Sequence, residues 1–538
     1  MTGQAGATPF NASEYLLDRH IRAGRGDRLA LTGAAGDISY TDLAGQVRQA
    51  ARGLRGLGLQ AEQRIVMVMA DSPEFVVVYL AAMRIGAVPV PISTMLRAGD
   101  IAEILADSRA RMVAVSAVYR DTIAAALSSA AVTDVMAVLT DTVLTDTVLT
   151  SDGTADIAGL PMTPLSQLPA TDASDEAYPT TADSPAFWLY TSGTTGTPKG
   201  AMHRHGSIQV VCDTYGTQVL GIRPDDRCLS AAKAFFAYGL GNSVLFPLSA
   251  GAAAILEPSP SRPDLIAERS QSFQATLFFA GPTFFSNMLR AGLPPDALAG
   301  VRLAASAGEP LPAALYQRWT SHFGIDILDG IGMTEMLHIF LSNPPARVKP
   351  GTTGVAVPGY DLRVLGEDGQ EVPPGTPGTL FVRGASAATG YWSRYDASRQ
   401  VFQGEWLRTG DTYVVDADGY YACLGRTGDM LKASGIWVSP AEVESCLLAH
   451  PDVAQAVVVA ASDTDGLEKP VAFVQLNPGC LADEETLIAF CKLGLPSFKR
   501  PRRIAFVAEY PATATGKIRR VELRDQAAAI LQAVEAPL

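Results

Sequence analysis

Residues 190–200 read Tyr190-Thr-Ser-Gly-Thr-Thr-Gly-Thr-Pro-Lys199-Gly200, and this stretch decides the fold class. The apolar run before it, residues 186–190, predicts a buried strand. Glycines let backbone N–H groups approach an anion closely, and the hydroxyls and the lysine add donors and positive charge. A common P-loop would place Gly before the lysine and Ser or Thr after it, whereas Pro and Gly stand there in this chain. The strand that leads into the loop favours a phosphate cradle over a flexible polar loop.

Length and composition restrict the class of protein. The 538 residues are too many for one core, so two or more domains are expected. The longest apolar runs, such as Phe75–Met83, are too short to span a bilayer, and no secretory signal is visible at the start. The six cysteines show no CxxC pairing and no clustering with His, so reduced, mostly buried thiols and no zinc site are expected. These features predict a soluble cytoplasmic protein without a membrane partner.

Charge argues against a nucleic-acid partner. The net charge is −13 and the pI is near 5.0, whereas a nucleic-acid site needs clustered Lys and Arg. The nearest such cluster is Lys499-Arg-Pro-Arg-Arg503. A solvated or interdomain surface is the favoured interpretation, and contact with the phosphates of coenzyme A is the alternative.

Strand-then-helix units recur along the chain and predict α/β layers. Residues 64–69 form an apolar strand, Asp71-Ser-Pro-Glu74 is a helix start, and Gly86 ends the helix. Beyond residue 428 the pattern changes to a compact α+β one. Its predicted elements are strands at 453–460 and 504–507 and helices at 484–491 and 521–534. We therefore predict a large N-terminal α/β domain, residues 1–428, and a small mobile α+β domain, residues 429–538.

Two segments are predicted to be surface connections. Residues 141–150 repeat Asp-Thr-Val-Leu-Thr twice, which is too short for a solenoid unit. Residues 151–185, rich in Asp, Thr, Ala and Pro, are predicted to be a loop into the phosphate strand.

Four further motifs contain residues suited to nucleotide chemistry. They are Asp329-Gly-Ile-Gly-Met-Thr-Glu335, Thr409-Gly-Asp411, Gly425-Arg-Thr-Gly-Asp-Met-Leu-Lys-Ala-Ser-Gly435 and Pro511-Ala-Thr-Ala-Thr-Gly-Lys517. Taken alone, each has an ordinary structural explanation: a helix cap, a solvated carboxylate, a turn into a strand and a surface loop. With the phosphate loop, they resemble the adenylate-forming enzymes, which comprise acyl- and aryl-CoA synthetases, luciferases and peptide-synthetase adenylation domains. The resemblance covers nearly the whole chain and implies ATP, Mg²⁺ and, for the ligases, coenzyme A as cofactors.

The resemblance also implies roles for individual residues. Lys517, Thr334, Glu335 and Lys199 would be catalytic, with Thr334 on the α-phosphate and Glu335 on Mg²⁺. Lys517 would bridge the carboxylate and the α-phosphate, where a cation stabilises two approaching anions. Asp411 and Arg426 would hold the ribose, and Asp329 and Gly330 the adenine amino group. The remaining nucleotide-binding residues implied are Thr191, Ser192, Gly193, Thr194, Thr195, Gly196, Ala307, Gly308, Glu309 and Gly332.

The motif at residues 425–435 resembles the linker between the two domains of this family. Asp429 matches its hinge position, where a large backbone change is concentrated in few residues. Lys432, Ser434 and Gly435 match the stretch that lines the thiol tunnel after the C-terminal domain rotates.

Two longer stretches, residues 230–242 and 329–343, are similar to benzoate-CoA ligases and their close relatives. Bulky side chains there predict a pocket for a flat ring rather than a long acyl chain, with core packing as the alternative. Met333 stands where a small serine is expected in benzoate ligases, so substituted or heteroaryl acids stay open. The acid-binding residues implied are Phe236, Ala237, Tyr238, Gly239, Gly281, Met333, Leu337, His338 and Ile339.

These observations predict an AMP-forming aryl-CoA ligase, acting as a monomer or homodimer on a small aromatic carboxylic acid. The alternative is an enzyme that loads the activated acid onto a separate carrier protein or another acceptor. A nucleotide-binding regulator without enzymatic activity would leave Lys517 and Glu335 without a role.

Overall fold

The computed structural model describes residues 8–129, 131–141, 158–160, 162–168, 175–192, 198–426, 431–433, 436–462, 468–511 and 518–535. The strands β1 to β26 are, in chain order, Leu29–Gly33, Ile38–Ser39, Arg64–Val68, Val88–Pro91, Met112–Val115, Ala137–Thr140, Met162–Pro164, Pro185–Ser192, Pro198–Arg204, Arg227–Ser230, Ala253–Leu256, Leu277–Ala280, Leu303–Ser306, Ile327–Gly332, Ile339–Ser342, Val355–Ala356, Tyr360–Leu365, Gly378–Gly384, Phe402–Gln403, Trp406–Val415, Tyr421–Arg426, Leu431–Ala433, Ile436–Val438, Val453–Ser462, Glu468–Leu476 and Arg503–Phe506. The helices α1 to α15 are Arg19–Arg22, Tyr40–Gly56, Pro73–Arg84, Ala98–Ser108, Arg120–Leu127, His205–Val211, Ala237–Leu240, Phe246–Ala250, Pro263–Ser272, Pro282–Arg290, Ala313–Phe323, Tyr395–Val401, Pro440–Leu448, Glu484–Gly494 and Arg520–Glu535. Single 3₁₀ or π-helical segments cover Glu14–Asp18, Ala117–Tyr119, Leu165–Gln167, Cys212–Val219, Gly241–Leu245, Thr334–Met336 and Ser497–Lys499.

Two sheets with parallel centres form the N-terminal part. The larger has nine strands in the order β16-β15-β14-β13-β12-β10-β11-β1-β2, and the smaller has five in the order β4-β3-β5-β6-β7. Successive side chains of a strand point to opposite faces, and both faces of the central strands are buried. Ile65 and Met67 of β3 join the cluster between the sheets, whereas Val66 and Val68 pack with α4 and α5 outside. The α/β layering predicted from the sequence is therefore confirmed.

Helix α3 packs in the hydrophobic cluster between the two sheets. Its start and its end show how the local sequence specifies an element. Ser72 has extended backbone at the N-cap, and Pro73 occupies the first helical turn. Every residue of α3 except Glu74 is buried, which agrees with its apolar composition on all sides. Gly86 adopts a left-handed φ of 76° directly after the helix. The predicted strand, helix and extended segment between residues 64 and 90 are thus confirmed.

The carboxyl ends of the central parallel strands are level with one another. The pairing register joins Ser230 to Phe279, Ala280 to Ser306, and Ser306 to Asp329. Loops that follow such strand ends form the usual ligand crevice of α/β sheets. This edge collects most of the candidate site residues described in the next section.

Strands β8 and β9 form the antiparallel hairpin that carries the predicted phosphate loop. Residues 186–189 of β8 are buried, which confirms the buried strand predicted there. A second antiparallel sheet, β17 to β21, follows the nine-stranded sheet in the chain.

The C-terminal part is a small α+β unit with cores of its own. Strands β24 and β25 pair antiparallel, and β26 adds parallel to β25. Helices α13 and α14 pack on one face of this sheet and α15 on the other. The predicted strands and helices of this region are confirmed. Lys499 and Arg503 of the basic cluster form ion pairs with Glu442 and Glu484 at 2.6 and 2.8 Å, in agreement with the favoured surface interpretation.

Two details differ from the sequence predictions. Within 151–185, expected to be a loop, Met162–Pro164 forms β7 on the edge of the five-stranded sheet. Three residues are too few to show a periodicity in the sequence, and the strand is held by its pairing with β6. The cysteines are all free, but only Cys212, Cys228 and Cys491 are buried.

The duplicated residues 142–150 lie outside the described residues. Within the described parts of the chain, no helix combines the length and apolarity needed to cross a bilayer.

Candidate active site

Asp329 is a buried residue of β14. It lies at the carboxyl edge of the parallel strands, where it pairs with Ser306 at the end of β13. One carboxylate oxygen accepts a long bond of 3.5 Å from Leu311 N–H, and Oδ1 has no partner among the described residues. Burial raises the pKa of Asp329 to about 8. The next residue is close-packed, because a Cβ on Gly330 would lie 2.9 Å from Ile339 Cγ2. Asp329 therefore offers an unsatisfied polar edge at a crevice that suits a ligand.

The segment after β13 lies beside Asp329. Ala307 is buried, and Gly308 has a left-handed φ of 97°. Glu309 accepts a hydrogen bond of 2.9 Å from the Thr283 hydroxyl, which ties this segment to the first turn of helix α10, after its N-cap Gly281. The predicted nucleotide-binding residues Ala307, Gly308 and Glu309 therefore lie close to Asp329 and Gly330.

The turn between β14 and β15 carries Gly332, Met333, Thr334, Glu335, Leu337 and His338. A Cβ on Gly332 would lie 2.6 Å from the His338 carbonyl oxygen, so only glycine fits this turn. Leu337 is a buried non-glycine residue at φ 68°. Such a conformation for a branched side chain costs of order 1–3 kcal/mol and marks a turn held by its surroundings.

Glu335 is a buried carboxylate that is held from two sides. Its Oε1 accepts a hydrogen bond from the Tyr391 hydroxyl, and its backbone carbonyl accepts one of 2.8 Å from Ala388 N–H. Lys199 Nζ lies 5.8 Å from the centroid of the Tyr391 ring. Tyr391 thus joins the lysine of the phosphate hairpin to the predicted magnesium ligand.

Thr334 and Thr191 are placed on the same side of the site. His203 on β9 bonds the Thr334 carbonyl oxygen through Nε2 at 2.8 Å, and its ring stacks on Phe187. Thr191 pairs with Lys199 across the hairpin. His203 therefore holds the turn of Thr334 against the phosphate hairpin.

Asp411 and Arg426 meet across β20 and β21. They are register partners, and Arg426 Nε lies 3.1 Å from Asp411 Oδ1. Asp411 is nearly buried, and its N–H bonds the Thr409 hydroxyl at 3.1 Å. The two residues predicted to hold the ribose therefore form one ion pair, although they are separated in the sequence.

Eight of the nine predicted acid-binding residues fall into two groups that touch each other, and the ninth, Gly281, is the N-cap of α10. Phe236, Ala237, Tyr238 and Gly239 start α7, where a Cβ on Gly239 would lie 2.0 Å from the Lys233 carbonyl oxygen. The Tyr238 hydroxyl donates to the Ala305 carbonyl oxygen at 2.8 Å, so this side chain reaches the end of β13. The Tyr238 and His338 rings lie 5.5 Å apart. Met333 is half-buried, whereas Leu337 and Ile339 are in the core.

Several predicted site residues lie outside the part of the chain that the structure describes. Gly193, Thr194, Thr195, Gly196, Asp429, Ser434, Gly435 and Lys517 are not described, and of Ser192 and Lys432 only the backbone is. Their roles stay predictions.

Tyr391 is the contact that the sequence interpretation missed. Residues 390–392 pair with β9, through Met202 N–H to the Gly390 carbonyl and Trp392 N–H to the Gly200 carbonyl. The only local signal is a glycine before two aromatic residues, Gly390-Tyr391-Trp392. Such a pattern indicates a packed turn, but it does not indicate which residue Tyr391 contacts.

Comparison with known proteins gives two family matches. Residues 17–392 match the AMP-binding enzyme family, and residues 442–517 match the AMP-binding enzyme C-terminal domain. The benzoate–CoA ligase of Thauera aromatica is 42% identical over 96% of both chains. The 4-hydroxybenzoate–CoA/benzoate–CoA ligase of Rhodopseudomonas palustris is 40% identical over 98% of this chain and 96% of its own.

Two solved structures of similar proteins superpose on nearly the whole length of this chain. An anthranilate CoA ligase in complex with anthranoyl-AMP superposes with a TM-score of 0.89 at 35% identity, over 97% of this chain and 98% of its own. A benzoate CoA ligase from Burkholderia xenovorans gives a TM-score of 0.85 at 39% identity, over 96% and 100% of the two chains.

Proposed function

This chain belongs to the AMP-binding enzyme family, and on that premise we propose that it is an AMP-forming aryl-CoA ligase. In the first step an oxygen of an aromatic carboxylate attacks the α-phosphorus of ATP. The bond to the β-phosphate oxygen breaks, and aryl-AMP and pyrophosphate form. In the second step the thiolate of coenzyme A attacks the acyl carbon, and AMP leaves as aryl-CoA forms.

The turn between β14 and β15 is the observation that carries this proposal. It places the nucleotide candidates Thr334 and Glu335 next to the acid candidates His338 and Ile339. A reaction that joins a carboxylate to a phosphate needs both groups held at one point in a fixed orientation. Similarity to benzoate–CoA ligases along both chains supports an aromatic acid and coenzyme A as the substrates.

The geometry of the described residues supports the nucleotide contacts that we propose. Asp411 accepts the ribose hydroxyls, since an ionised carboxylate accepts several hydrogen bonds, and Arg426 holds that carboxylate in place. The unpartnered Oδ1 of Asp329 receives the adenine amino group. Lys199 adds positive charge beside the phosphates, and Thr334 contacts the α-phosphate.

A single carboxylate fits the proposed magnesium site. No group of three or more His, Cys, Asp or Glu side chains converges anywhere in the described parts of the chain. Glu335 is instead an isolated buried carboxylate, and Mg²⁺ commonly takes one or two carboxylates together with phosphate oxygens. Bound there, Mg²⁺ would neutralise charge on the phosphates. Tyr391 orients the carboxylate for that contact.

The C-terminal domain, residues 429–538, is proposed to supply a different group to each step. Lys517 would bridge the carboxylate and the α-phosphate during adenylation. Rotation about Asp429 would then bring Lys432, Ser434 and Gly435 to the thiol tunnel. The separate hydrophobic cores of the C-terminal part support a unit that moves as a body.

An AMP-release assay over a panel of aryl acids, with and without coenzyme A, tests the proposal. We expect AMP release that needs both an aromatic acid and coenzyme A, and pyrophosphate exchange that needs the acid alone. Exchange without thioester formation would favour the alternative acceptor, a carrier protein or another nucleophile. A lack of exchange with every aromatic acid would refute the proposed function.

A further inference from the structure

Asp107 is a half-buried carboxylate near the end of helix α4, outside the candidate site. Its two side-chain oxygens have different partners. The Tyr190 hydroxyl donates to Oδ2 at 2.6 Å, and the Arg394 guanidinium donates to Oδ1 at 2.7 Å. Its backbone carbonyl accepts a bond of 2.9 Å from Trp392 Nε1. Three bonds therefore join the end of α4 to two chain segments that are far apart in the sequence.

Tyr190 connects Asp107 to the phosphate hairpin. Burial and the bond to Asp107 raise the pKa of the Tyr190 phenol, so the hydroxyl stays protonated and donates to the carboxylate. Tyr190 pairs in register with Gly200, the residue after Lys199, and a Cβ on Gly200 would lie 3.2 Å from Tyr190 Cζ. The ring therefore lies against the backbone beside Lys199, and Asp107 fixes the ring through its hydroxyl.

Trp392 and Arg394 connect Asp107 to the segment that carries Tyr391. The Tyr391 hydroxyl donates to Glu335, the proposed magnesium ligand. The bonds from Trp392 and Arg394 hold the chain directly after Tyr391 at the end of α4. Asp107 is thereby bonded to both segments that place the phosphate-facing groups: the hairpin with its lysine and the segment behind the magnesium carboxylate.

The packing of helix α4 depends on other residues. Its apolar face, with Ile101, Ile104 and Leu105, is buried in the cluster on the five-stranded sheet. The Asp107 carboxylate adds no apolar area to that packing, and both of its side-chain bonds leave the helix. Its partners lie beside one site, so the carboxylate is suited to fix the geometry of that site. A displacement of about 1 Å in such a geometry can lower a rate about 10²-fold.

We propose that Asp107 is a positioning residue for the first half-reaction: it keeps the two segments in the relative position that lets Lys199 and Glu335 act together on magnesium–ATP. This inference rests on the proposed function and assigns a role to a residue outside the groups that contact the nucleotide. Support of this kind is typically worth about 10–100-fold in metal affinity or activity. AMP lacks the β- and γ-phosphates, so its binding should depend little on this contact.

Asp107→Asn tests the role, with equilibrium binding as the readout. An amide keeps the size of the side chain but accepts at one oxygen only, so the bond to Tyr190 or to Arg394 is lost. Kd is measured by calorimetry for ATP with Mg²⁺ and for AMP, both without an acid so that no turnover occurs. We expect the Kd for magnesium–ATP to rise about tenfold or more and the Kd for AMP to stay within about twofold. An unchanged Kd for magnesium–ATP, or an equal rise for both nucleotides, would overturn the proposal.

Asp226→Asn is the matched control. Asp226 also accepts from one arginine with both oxygens, at 3.0 and 2.7 Å from Arg302. Both residues directly precede parallel strands, β10 and β13, so this pair lies at the amino edge of the sheet, opposite the site. The control should lower the melting temperature without changing the ratio of the two Kd values. A ratio that changes equally in both variants would mean that the loss of an ion pair is the cause, and it would refute the role of Asp107.

Tyr190→Phe removes one of the two side-chain bonds and keeps the ring. It should also raise the Kd for magnesium–ATP, and it decides the proposal by the same Kd ratio where Asp107→Asn does not fold. The double variant should be weakened by less than the product of the two single fold-changes, because both substitutions act on one contact. Independent effects would contradict that contact. A lack of pyrophosphate exchange with every aromatic acid in the wild type would refute the ligase function itself, whereas the Kd ratio tests Asp107 separately.

Discussion

At the scale of single residues, Asp411, which pairs with Arg426, is proposed to accept the ribose hydroxyls. One substitution tests this role. Asp411→Asn keeps the size of the side chain and removes the charge that favours acceptance from both ribose hydroxyls. We expect kcat/KM for ATP to fall by roughly 10–100-fold, since hydrogen bonds to charged groups contribute about 1.5–3 kcal/mol. With 2′,3′-dideoxy-ATP, which lacks the hydroxyls, variant and wild type should have equal kcat/KM. An equal loss with both nucleotides would mean that Asp411 only supports the strand pair.

Asp329 should make the stability of the ligand-free protein depend on pH. Burial raises its pKa to about 8 in the folded state, above the ordinary aspartate value of 3.8. Between these values the unfolded chain binds fewer protons than the folded one, so stability falls as pH rises, by up to ~1.4 kcal/mol per pH unit.

Asp329→Asn removes this titration. The melting temperature of the variant relative to wild type should therefore increase from about pH 4 to about pH 8 and stay constant above, measured by thermal unfolding without nucleotide. A difference that does not change with pH would contradict the buried, protonated state of Asp329.

At the scale of elements, the turn between β14 and β15 and the segment after α7 are packed too closely for a side chain at Gly241. Gly241→Ala would push its Cβ into the His338 ring, 2.3 Å from Cδ2. Overpacking of this kind typically costs 1–3 kcal/mol, so we expect a lower melting temperature and a raised KM for the acid, with KM for ATP less affected.

Gly45→Ala on helix α2 is the matched control for that substitution. No atom lies within 4 Å of the Cβ it would add. Alanine is favoured over glycine inside a helix by about 0.5–1 kcal/mol, so this variant should be as stable as wild type or slightly more stable. Equal destabilisation of both variants would show that the close contact at His338 is not the cause.

Elements were predictable from the sequence where one local signal specifies them. The apolar run before the phosphate loop became β8, and the Ser-Pro start at residue 72 became α3. Strand β7 was not predictable, because three residues carry no periodicity. Tyr391 was missed because its bond to Glu335 joins residues far apart in sequence.

At the scale of the whole molecule, the proposed reaction divides its two steps between domain orientations. The N-terminal part holds the described nucleotide and acid candidates, whereas Lys517 belongs to the C-terminal part. Charge stabilisation between carboxylate and phosphate is needed only in the first step. Lys517→Ala should therefore lower pyrophosphate exchange on the order of 10²–10³-fold and leave thioester formation from supplied aryl-AMP largely intact.

Asp429→Pro should have the opposite effect. Proline fixes φ and removes a backbone donor, so it restricts the rotation proposed at this position. Pyrophosphate exchange should survive, and transfer from aryl-AMP to coenzyme A should fail. Both half-reactions are measured on both variants, so that each serves as the control for the other. If the two variants lose the same half-reaction, the steps do not use separate orientations. If Asp429→Pro turns over normally, the hinge lies elsewhere in the linker, and the boundary at residue 428 must move with it.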